Sequence, residues 1–342
     1  MSFINKEEKL KGKIIVMLVA FFYCGVLLSK SSIIWKSSQV IGTPVRVIVN
    51  ENGIFIGDMK QVKIFHLDFN GKFVSEIGKL GEGPNEFTSI QNFMIHNNEI
   101  YVQSGFMIKC LTLNGEFKRK WNFTMKYTFY QFFVTDTGFV LIGKLSDHDP
   151  KVFSKSQTSP YDFFYHISFD GKLIKSFGHS FPELKQIDLT KNLMILAGMT
   201  PSHIDNNIYY ANHLNYQIWK ASIKTGTCLK IIDEKIPYFI PFASKLKRFT
   251  SKGGTRVMGS MQGTRIRIFQ KQNTLVLFVK SGDTKNGYKS TYLRFYTPNG
   301  NKFKFKRQIK LKNDLNIYSY FKDIFYGFNE DGDFVALKVN TD

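Results

Sequence analysis

Short turns recur along this chain in two interleaved series, and they limit the possible folds more than any other feature of the sequence. The first series has six members: Asn52-Gly53, Asn97-Asn98, Thr137-Gly138, Asn206-Asn207, Gln272-Asn273 and Asp331-Gly332. The second series has five members: Asn70-Gly71, Asn114-Gly115, Asp170-Gly171, Thr225-Gly226 and Asn299-Gly300. Asn-Gly and Asp-Gly supply the positive φ angles that tight β-hairpins need. The flanking β-forming runs therefore predict a chain of hairpins.

The alternation of the two series predicts the architecture. Each repeat contains two hairpins, which make four antiparallel strands, as in a propeller blade. In the first repeat we expect strands at residues 45–49, 54–58, 62–69 and 73–77. Six turns against five are expected if the N-terminal strand completes the last blade, and residues 33–41 are the candidate for this strand. We predict an all-β fold, a six-bladed β-propeller of four-stranded antiparallel blades, over residues 31–342.

The N-terminus has the composition of a membrane segment. Lys6, Lys9, Lys11 and Lys13 precede an uncharged run at residues 14–28, which is the order found in signal peptides and anchors. At 1.5 Å per residue the run spans about 22 Å as a helix, short of the ~30 Å hydrocarbon core. A cleaved signal, a lipoprotein site at Cys24 and a retained anchor all stay open, although bulky residues around the possible cleavage sites favour the anchor. We expect residues 1–30 to be a cytoplasmic basic flank plus a signal or anchor segment. The positive-inside rule then places the propeller outside the cytoplasmic membrane.

The positive charge has two interpretations: solubility together with a Lys- and Asn-rich codon bias, or an anionic partner. The chain carries 47 Lys and Arg against 27 Asp and Glu, a formal charge of +20. No stretch combines dense arginine with aromatic residues, so nucleic acid is not expected. Residues 245–267 contain seven cations and no acid, and we predict a cradle there for a carboxylate, phosphate or sulfate group of a ligand. The candidate binding residues are Lys252, Arg256, Arg265 and Arg267, since arginine can donate two parallel hydrogen bonds to such a group. The alternative is a flexible basic loop followed by one charged strand.

Signatures of catalysis are absent from the sequence. The close His–carboxylate groups are His203-Ile204-Asp205 and Asp147-His148-Asp149, and both are predicted to lie in or beside solvated loops. Neither accompanies a serine or cysteine nucleophile motif. No Cys/His spacing resembles a metal site, so the sequence indicates no cofactor or metal and assigns no catalytic residue. A metal site assembled from several blades around the channel remains open.

One connector resembles a known family. Residues 77–87 (IGKLGEGPNEF), preceded by the D-x-x-G-K pattern of residues 68–72, resemble the G-x-G-P-G-E-F connector of bacterial six-bladed β-propeller proteins, relatives of the NHL-repeat and TolB-like propellers. The resemblance covers about residues 45–95, and Asn85 stands where glycine is usual. Glycines allow a sharp path from one blade to the next, and Pro84 restrains one dihedral. We expect Glu86 to bond to backbone amides rather than to a ligand.

These features favour a non-enzymatic function. We expect an extracytoplasmic, membrane-tethered propeller that acts as a binding or scaffolding module for a glycan, peptide or protein partner. The alternative is a propeller enzyme, a lyase or hydrolase with a site at the channel mouth and with or without a metal. The fold is compatible with both functions.

Overall fold

The computed structural model describes residues 31–37, 39, 41–123, 127–145, 162–179, 201–212, 216–239, 246–251, 254–259, 264–283, 287–311 and 315–339. The predicted membrane segment of residues 1–30 lies outside these ranges. Within them, no helix has the length and apolar character needed to cross a membrane.

The described residues form β-strands joined by turns and connectors. The first thirteen strands are β1 (Ser31–Lys36), β2 (Pro44–Asn50), β3 (Gly53–Asp58), β4 (Lys63–Leu67), β5 (Phe73–Ile77), β6 (Asn92–His96), β7 (Glu99–Ser104), β8 (Met107–Thr112), β9 (Phe117–Asn122), β10 (Tyr127–Thr135), β11 (Gly138–Leu145), β12 (Asp162–Ser168) and β13 (Leu173–His179). The others are β14 (Ser202–Ile204), β15 (Asn207–Asn212), β16 (Gln217–Ser222), β17 (Cys228–Asp233), β18 (Leu246–Ser251), β19 (Gly254–Gly259), β20 (Arg265–Lys271), β21 (Thr274–Asp283), β22 (Gly287–Asn299), β23 (Lys302–Leu311), β24 (Asn316–Phe321), β25 (Ile324–Phe328) and β26 (Phe334–Val339).

Six antiparallel sheets of four strands make the six blades. Blades 1 to 3 are β2–β5, β6–β9 and β10–β13, and blades 4 and 5 are β14–β17 and β20–β23. Blade 6 has the order β24-β25-β26-β1. The first strand of each blade lies innermost. The predicted four-stranded antiparallel blades are confirmed, and the ends of the strands of blade 1 differ from the predicted bounds by at most two residues.

The N-terminal strand closes the ring, as the unequal turn counts predict. Strand β1 pairs with β26, from Ser31 opposite Val339 to Lys36 opposite Val335. The Lys36 ammonium also lies 2.9 Å from a carboxylate oxygen of Asp333. The closing strand ends at Lys36 rather than at residue 41. Closure pairs an edge of blade 6 that would otherwise be open.

Two features of the sequence pattern were assigned wrongly. Asp331-Gly332 joins β25 to β26, the second and third strands of blade 6, so it does not belong to the first series. The first hairpin of this blade turns at Lys322-Asp323, whose φ angles are 45° and 66°. Lys322 is not a typical turn former and no glycine follows Asp323, which is why the rhythm of Asn and Gly missed this turn. Between blades 4 and 5, moreover, β18 and β19 pair as a separate hairpin, where the sequence suggested a loop.

The core lies between neighbouring blades. Successive side chains of a strand point to opposite faces of its sheet. The second strand of a blade therefore packs against both neighbouring blades. In β3, every residue of which is buried, Ile54 and Ile56 pack towards Tyr326 of blade 6. Phe55 packs on the other face with Phe93 of blade 2. Burial on both faces explains the apolar second strands of the repeats.

The connector of residues 78–87 is held by its own polar groups. A Glu86 carboxylate oxygen accepts a hydrogen bond from the Gly83 amide at 2.9 Å, which agrees with the structural role expected for Glu86. The buried Lys109 ammonium donates to the carbonyl oxygens of Gly83 and Glu86 at 2.7 and 2.6 Å. Gly78 has a φ of 79°, and a Cβ there would lie 2.0 Å from the Phe87 ring. The connector therefore requires glycine at this position.

Candidate functional site: the central channel

A cavity of about 640 Å³ lies where the six inner strands meet. Residues of β2, β6, β10, β14, β20 and β24 all contribute to its wall. This volume is within the ~300–1,000 Å³ range of ligand sites for small molecules. Each blade thus supplies part of one common site.

The strand registers place a polar residue at the same level of the channel in every blade that can be compared. Each inner strand ends at the residue paired across the first turn, for example Asn50 opposite Gly53. The position four pairs before this end holds Arg46, Asn92, Gln131, Arg267 and Asn316 in blades 1, 2, 3, 5 and 6. We call these five residues the inner ring. The corresponding position of blade 4, residue 200, lies outside the described ranges. One pair nearer the turn, the side chains are apolar: Val47, Phe93, Phe132, Ile268 and Ile317.

The inner ring lies near one end of the channel. Since the strands of a blade alternate in direction, the turns after the first and third strands lie on one face, the turn face. The links between second and third strands, and those between blades, lie on the other, the connector face. Asn92 and Asn316 are the first residues of β6 and β24. The inner ring is therefore close to the connector face.

Local irregularities add side chains to this wall. The pairing register shifts around Val45 in β2, Tyr130 in β10 and Tyr318 in β24, and all three residues line the cavity. Bulges of this kind insert one residue and redirect its side chain. They thereby bring two tyrosines to the channel.

Arg46 is the cation of blade 1 at this level. Its Nη1 donates a hydrogen bond to Oδ1 of Asn92 in blade 2 at 2.9 Å, and its guanidinium carbon lies 5.8 Å from the centroid of the Phe133 ring. The side chain is surrounded by protein and reaches solvent through the channel. Burial lowers the pKa of Arg46 to about 10, because a low-dielectric environment disfavours the charged form.

Arg267 occupies the same level in blade 5. Its Nη1 donates to Oδ1 of Asn316 at 3.0 Å and also to the carbonyl oxygen of Ile317. Its guanidinium carbon lies 3.8 Å from the centroid of the Tyr318 ring, and the Asn316 amide donates to the Tyr318 hydroxyl at 3.3 Å. The pattern of an arginine that binds the asparagine of the next blade thus occurs twice around the ring.

His203 gives the channel its third basic group. The sequence suggested a solvated loop here, which is wrong: His203 lies on β14 and lines the cavity. Its ring centroid is 5.3 Å from that of Phe133, the ring that also contacts Arg46. Burial, together with the positive charge of Arg46, lowers the pKa of His203. The described lining residues include two arginines and this histidine but no aspartate, glutamate or lysine.

The structure separates the binding residues predicted from the sequence. Arg267 lines the cavity, and Arg265 lies two residues earlier on β20 with its side chain exposed. Arg256 belongs to the hairpin strand β19. Lys252, like the side chain of Arg256, lies outside the described part of the chain, as does the Asp147-His148-Asp149 group. The structure therefore brings one predicted residue, Arg267, to the channel.

Sequence reasoning missed Arg46, Asn92 and Gln131. A signal for them exists when the repeats are aligned on their first-series turns: Arg46 and Gln131 then lie six residues before the turn, and Asn92 lies five residues before it. The misassigned turn of blade 6 hides Asn316 from the same alignment. Among the residues described, no group of three His, Cys, Asp or Glu is placed to hold a metal ion.

Comparison with known proteins agrees with the six-bladed architecture. A family model described as a six-bladed β-propeller matches residues 36–335. A protein of Bacteroides fragilis that is named as an exported one has 12% identity and a TM-score of 0.58, with coverage of 92% of this chain and 96% of that chain. BamB from Moraxella catarrhalis has 11% identity and a TM-score of 0.41, with coverage of 92% and 97%. The PQQ-bound aldose sugar dehydrogenase of Streptomyces coelicolor has 8% identity and a TM-score of 0.47, with coverage of 91% and 98%. The likeness to the B. fragilis protein concerns the fold alone, and the other two, with TM-scores below 0.5, support no inference about this chain. No curated protein matches the sequence.

Proposed function

The chain belongs to this family of six-bladed β-propellers, and from that premise we propose that it is an extracytoplasmic binding module. It holds a glycan, peptide or protein partner at the mouth of the channel on the connector face. The observation that carries the proposal is the cavity of about 640 Å³ lined by all six inner strands. Its wall combines amide and hydroxyl groups with two arginines and His203, all of which can form hydrogen bonds with a ligand.

The position of the inner ring supports this choice of face. The inner ring lies near the N-terminal ends of the inner strands, on the connector face. The two long links that span residues 146–161 and 180–201 leave and re-enter the described blades on the same face. Loops that a rigid scaffold holds are common positions for binding residues. A partner at this mouth would meet the inner ring.

An extracytoplasmic location has two supports. The basic flank and uncharged run of residues 1–30 have the order of an export signal or anchor. The B. fragilis protein with the same fold is named as exported.

Strand β1 begins opposite the end of β26, which is on the turn face. An anchored N-terminus would therefore place the turn face towards the membrane and the channel mouth away from it.

The binding role is tested by filling the channel. Purified full-length chain in a non-ionic detergent is applied to glycan and peptide arrays, in parallel with Ser319→Trp, which inserts an indole into the lining. Lys304→Trp is the matched control, because Lys304 is exposed on the outer strand of blade 5. We expect Ser319→Trp to lose the array signal while Lys304→Trp retains it. A signal that survives in Ser319→Trp would show that binding occurs away from the channel.

Location is tested separately by protease treatment of intact cells. An exported propeller is cleaved from outside, or after the outer envelope is permeabilised. Protection until the cytoplasmic membrane is lysed would refute the proposed location.

A further inference from the structure

The charge of Arg46 lacks a described counter-charge. It forms no ion pair with any carboxylate among the described residues, and its one described hydrogen bond goes to the neutral Asn92 amide. A guanidinium carries five N–H donors. A cation that has lost much of its hydration and has no counter-ion is destabilised, so an anion in the channel would bind favourably beside it.

Asn92 supplies a second donor at the same point. Its side chain is 4% exposed and lines the cavity. Its Oδ1 accepts the bond from Arg46, which fixes the amide orientation, and its Nδ2 has no hydrogen-bond partner within the described structure. A buried donor without a partner is destabilising, and an acceptor from a ligand would remove this penalty.

The second arginine–asparagine pair of the ring is an internal comparison. Arg267 and Asn316 have the same register positions, but their polar atoms bond to the Ile317 carbonyl and the Tyr318 hydroxyl. The Tyr318 ring also covers one face of the Arg267 guanidinium. This pair is satisfied within the protein and joins blade 5 to blade 6. The Arg46–Asn92 pair joins blade 1 to blade 2 in the same way, yet both residues line the cavity and retain donors without a partner within the described structure.

On the basis of the proposed channel function, we propose that the ligand is a carboxylate-bearing sugar of hexuronate type, with its carboxylate bound by Arg46 and Asn92. A guanidinium and a neighbouring amide N–H match the planar, singly charged carboxylate. A phosphate dianion would favour a site with more charge than this pair offers.

The remaining lining fits hydroxyl groups. Gln91, Gln131, Ser202, Gln270 and Ser319 line the cavity with neutral amides and hydroxyls. Within the protein, the Ser202 hydroxyl donates to the Ile268 carbonyl oxygen and the Gln270 amide donates to that of Gln272. Each can donate and accept hydrogen bonds, as a sugar hydroxyl does. The cavity of about 640 Å³ has room for more than one sugar ring.

The test is calorimetric titration of the full-length chain in non-ionic detergent with four probes: D-glucuronate, D-glucuronamide, D-glucose and inorganic phosphate. We expect glucuronate to bind at least about tenfold more tightly than the neutral amide and glucose, since charge-assisted hydrogen bonds provide that much discrimination. Arg46→Gln should lose a similar factor. Lys304→Gln, which removes one exposed cation, controls for net charge and should leave affinity unchanged.

Asn92→Asp keeps the test valid if Arg46→Gln fails to fold. The new carboxylate still accepts from Arg46 and neutralises it, so the melting temperature should be retained or raised while glucuronate binding is lost. Unchanged glucuronate affinity in folded Asn92→Asp would overturn the inference. Phosphate that binds as tightly as glucuronate would also overturn it.

The outcomes separate this inference from the proposed function. If glucose binds as well as glucuronate and Ser319→Trp abolishes both, the channel is a binding site but the carboxylate assignment is wrong. If Ser319→Trp leaves the binding of every probe and of every array ligand unchanged, both proposals are wrong. Methyl glucuronoside distinguishes two sources of the carboxylate-bearing ligand. Tighter binding than that of free glucuronate would support the end of a polysaccharide, and weaker binding would support the free sugar.

Discussion

Replacement of Trp35 by alanine should weaken ring closure measurably. The indole of Trp35 on β1 has its ring centroid 6.3 Å from that of Tyr326 and 5.8 Å from that of Phe334. It also covers the second-series turn of blade 1, because a Cβ on Gly71 would lie 2.5 Å from it. Trp35 thus joins the closing strand, the rest of blade 6 and blade 1.

The expected magnitude follows from this packing. Replacing a fully buried tryptophan by alanine costs about 3–5 kcal/mol. Trp35 is half-buried, so we expect about 2–3 kcal/mol. Since 1 kcal/mol corresponds to about 2 °C in a chain of this size, the melting temperature should fall by about 4–6 °C.

The adjacent residue is a matched control. Ile34 is the unpaired residue where the register of β1 shifts between Ile33 and Trp35. It has 48% of its surface exposed, and Ile34→Ala should cost under about 1 kcal/mol. Differential scanning calorimetry and urea unfolding measure both variants. Deletion of residues 31–41 should go further, because it leaves the edge of β26 unpaired and promotes aggregation. Equal shifts for Trp35→Ala and Ile34→Ala, or a deletion that stays soluble with its melting temperature unchanged, would refute closure by β1.

Three further predictions concern buried polar groups and the connector. Burial by itself raises the pKa of Asp58, but four backbone amides donate to its carboxylate and leave the pKa lowered. The ionised carboxylate therefore stabilises the folded protein above about pH 4, and this contribution is lost as the pH falls through the folded-state pKa. Asp58→Asn should cost about 2 kcal/mol at pH 7, and urea unfolding across pH 3–7 should show the gap to the unmodified chain narrowing towards low pH; a constant gap would contradict this. Arg294→Met should lower the free energy of unfolding by about 3 kcal/mol, because the Arg294 guanidinium lies 2.7 Å from the Glu234 carboxylate and the residue is 6% exposed. A double-mutant cycle with Glu234→Gln should give a coupling energy above about 1 kcal/mol. Additive losses in the two single variants would argue against the ion pair. Gly78→Ala should destabilise by more than about 1 kcal/mol, because its φ of 79° and the Phe87 ring 2.0 Å from an added Cβ both oppose a side chain; an unchanged melting temperature would show that the connector can rearrange.

Much of the fold could be predicted because local chemistry specifies hairpins. The alternation of the two turn series predicted the number of blades, the four strands in each and closure by the N-terminal strand, although its sixth first-series turn was placed at the wrong link of blade 6. Prediction failed where the turn chemistry is unusual. Lys322 and Asp323 adopt positive φ angles without being Gly or Asn, so the inner hairpin of blade 6 was missed.

The site was harder to predict, because its members are separated by the length of a repeat. Arg46 and Asn92 are 46 residues apart yet share a hydrogen bond of 2.9 Å. His203 appeared to belong to a solvated loop, since only three residues of β14 precede its turn. Arg267 stood out for its basic neighbours, but its partners come from β24.

The sequence by itself determined a repeated β-hairpin protein whose first strand completes its last blade, since turn residues and alternating apolar residues act over a few positions. Only the tertiary structure decided which residues form the channel. Closing the ring places equivalent positions of the blades around one axis, and so brings side chains from separate repeats to the same level. It also decided that Arg267 is bound within the protein while Arg46 and Asn92 keep donors without a described partner, because that difference depends on neighbours that no single repeat contains.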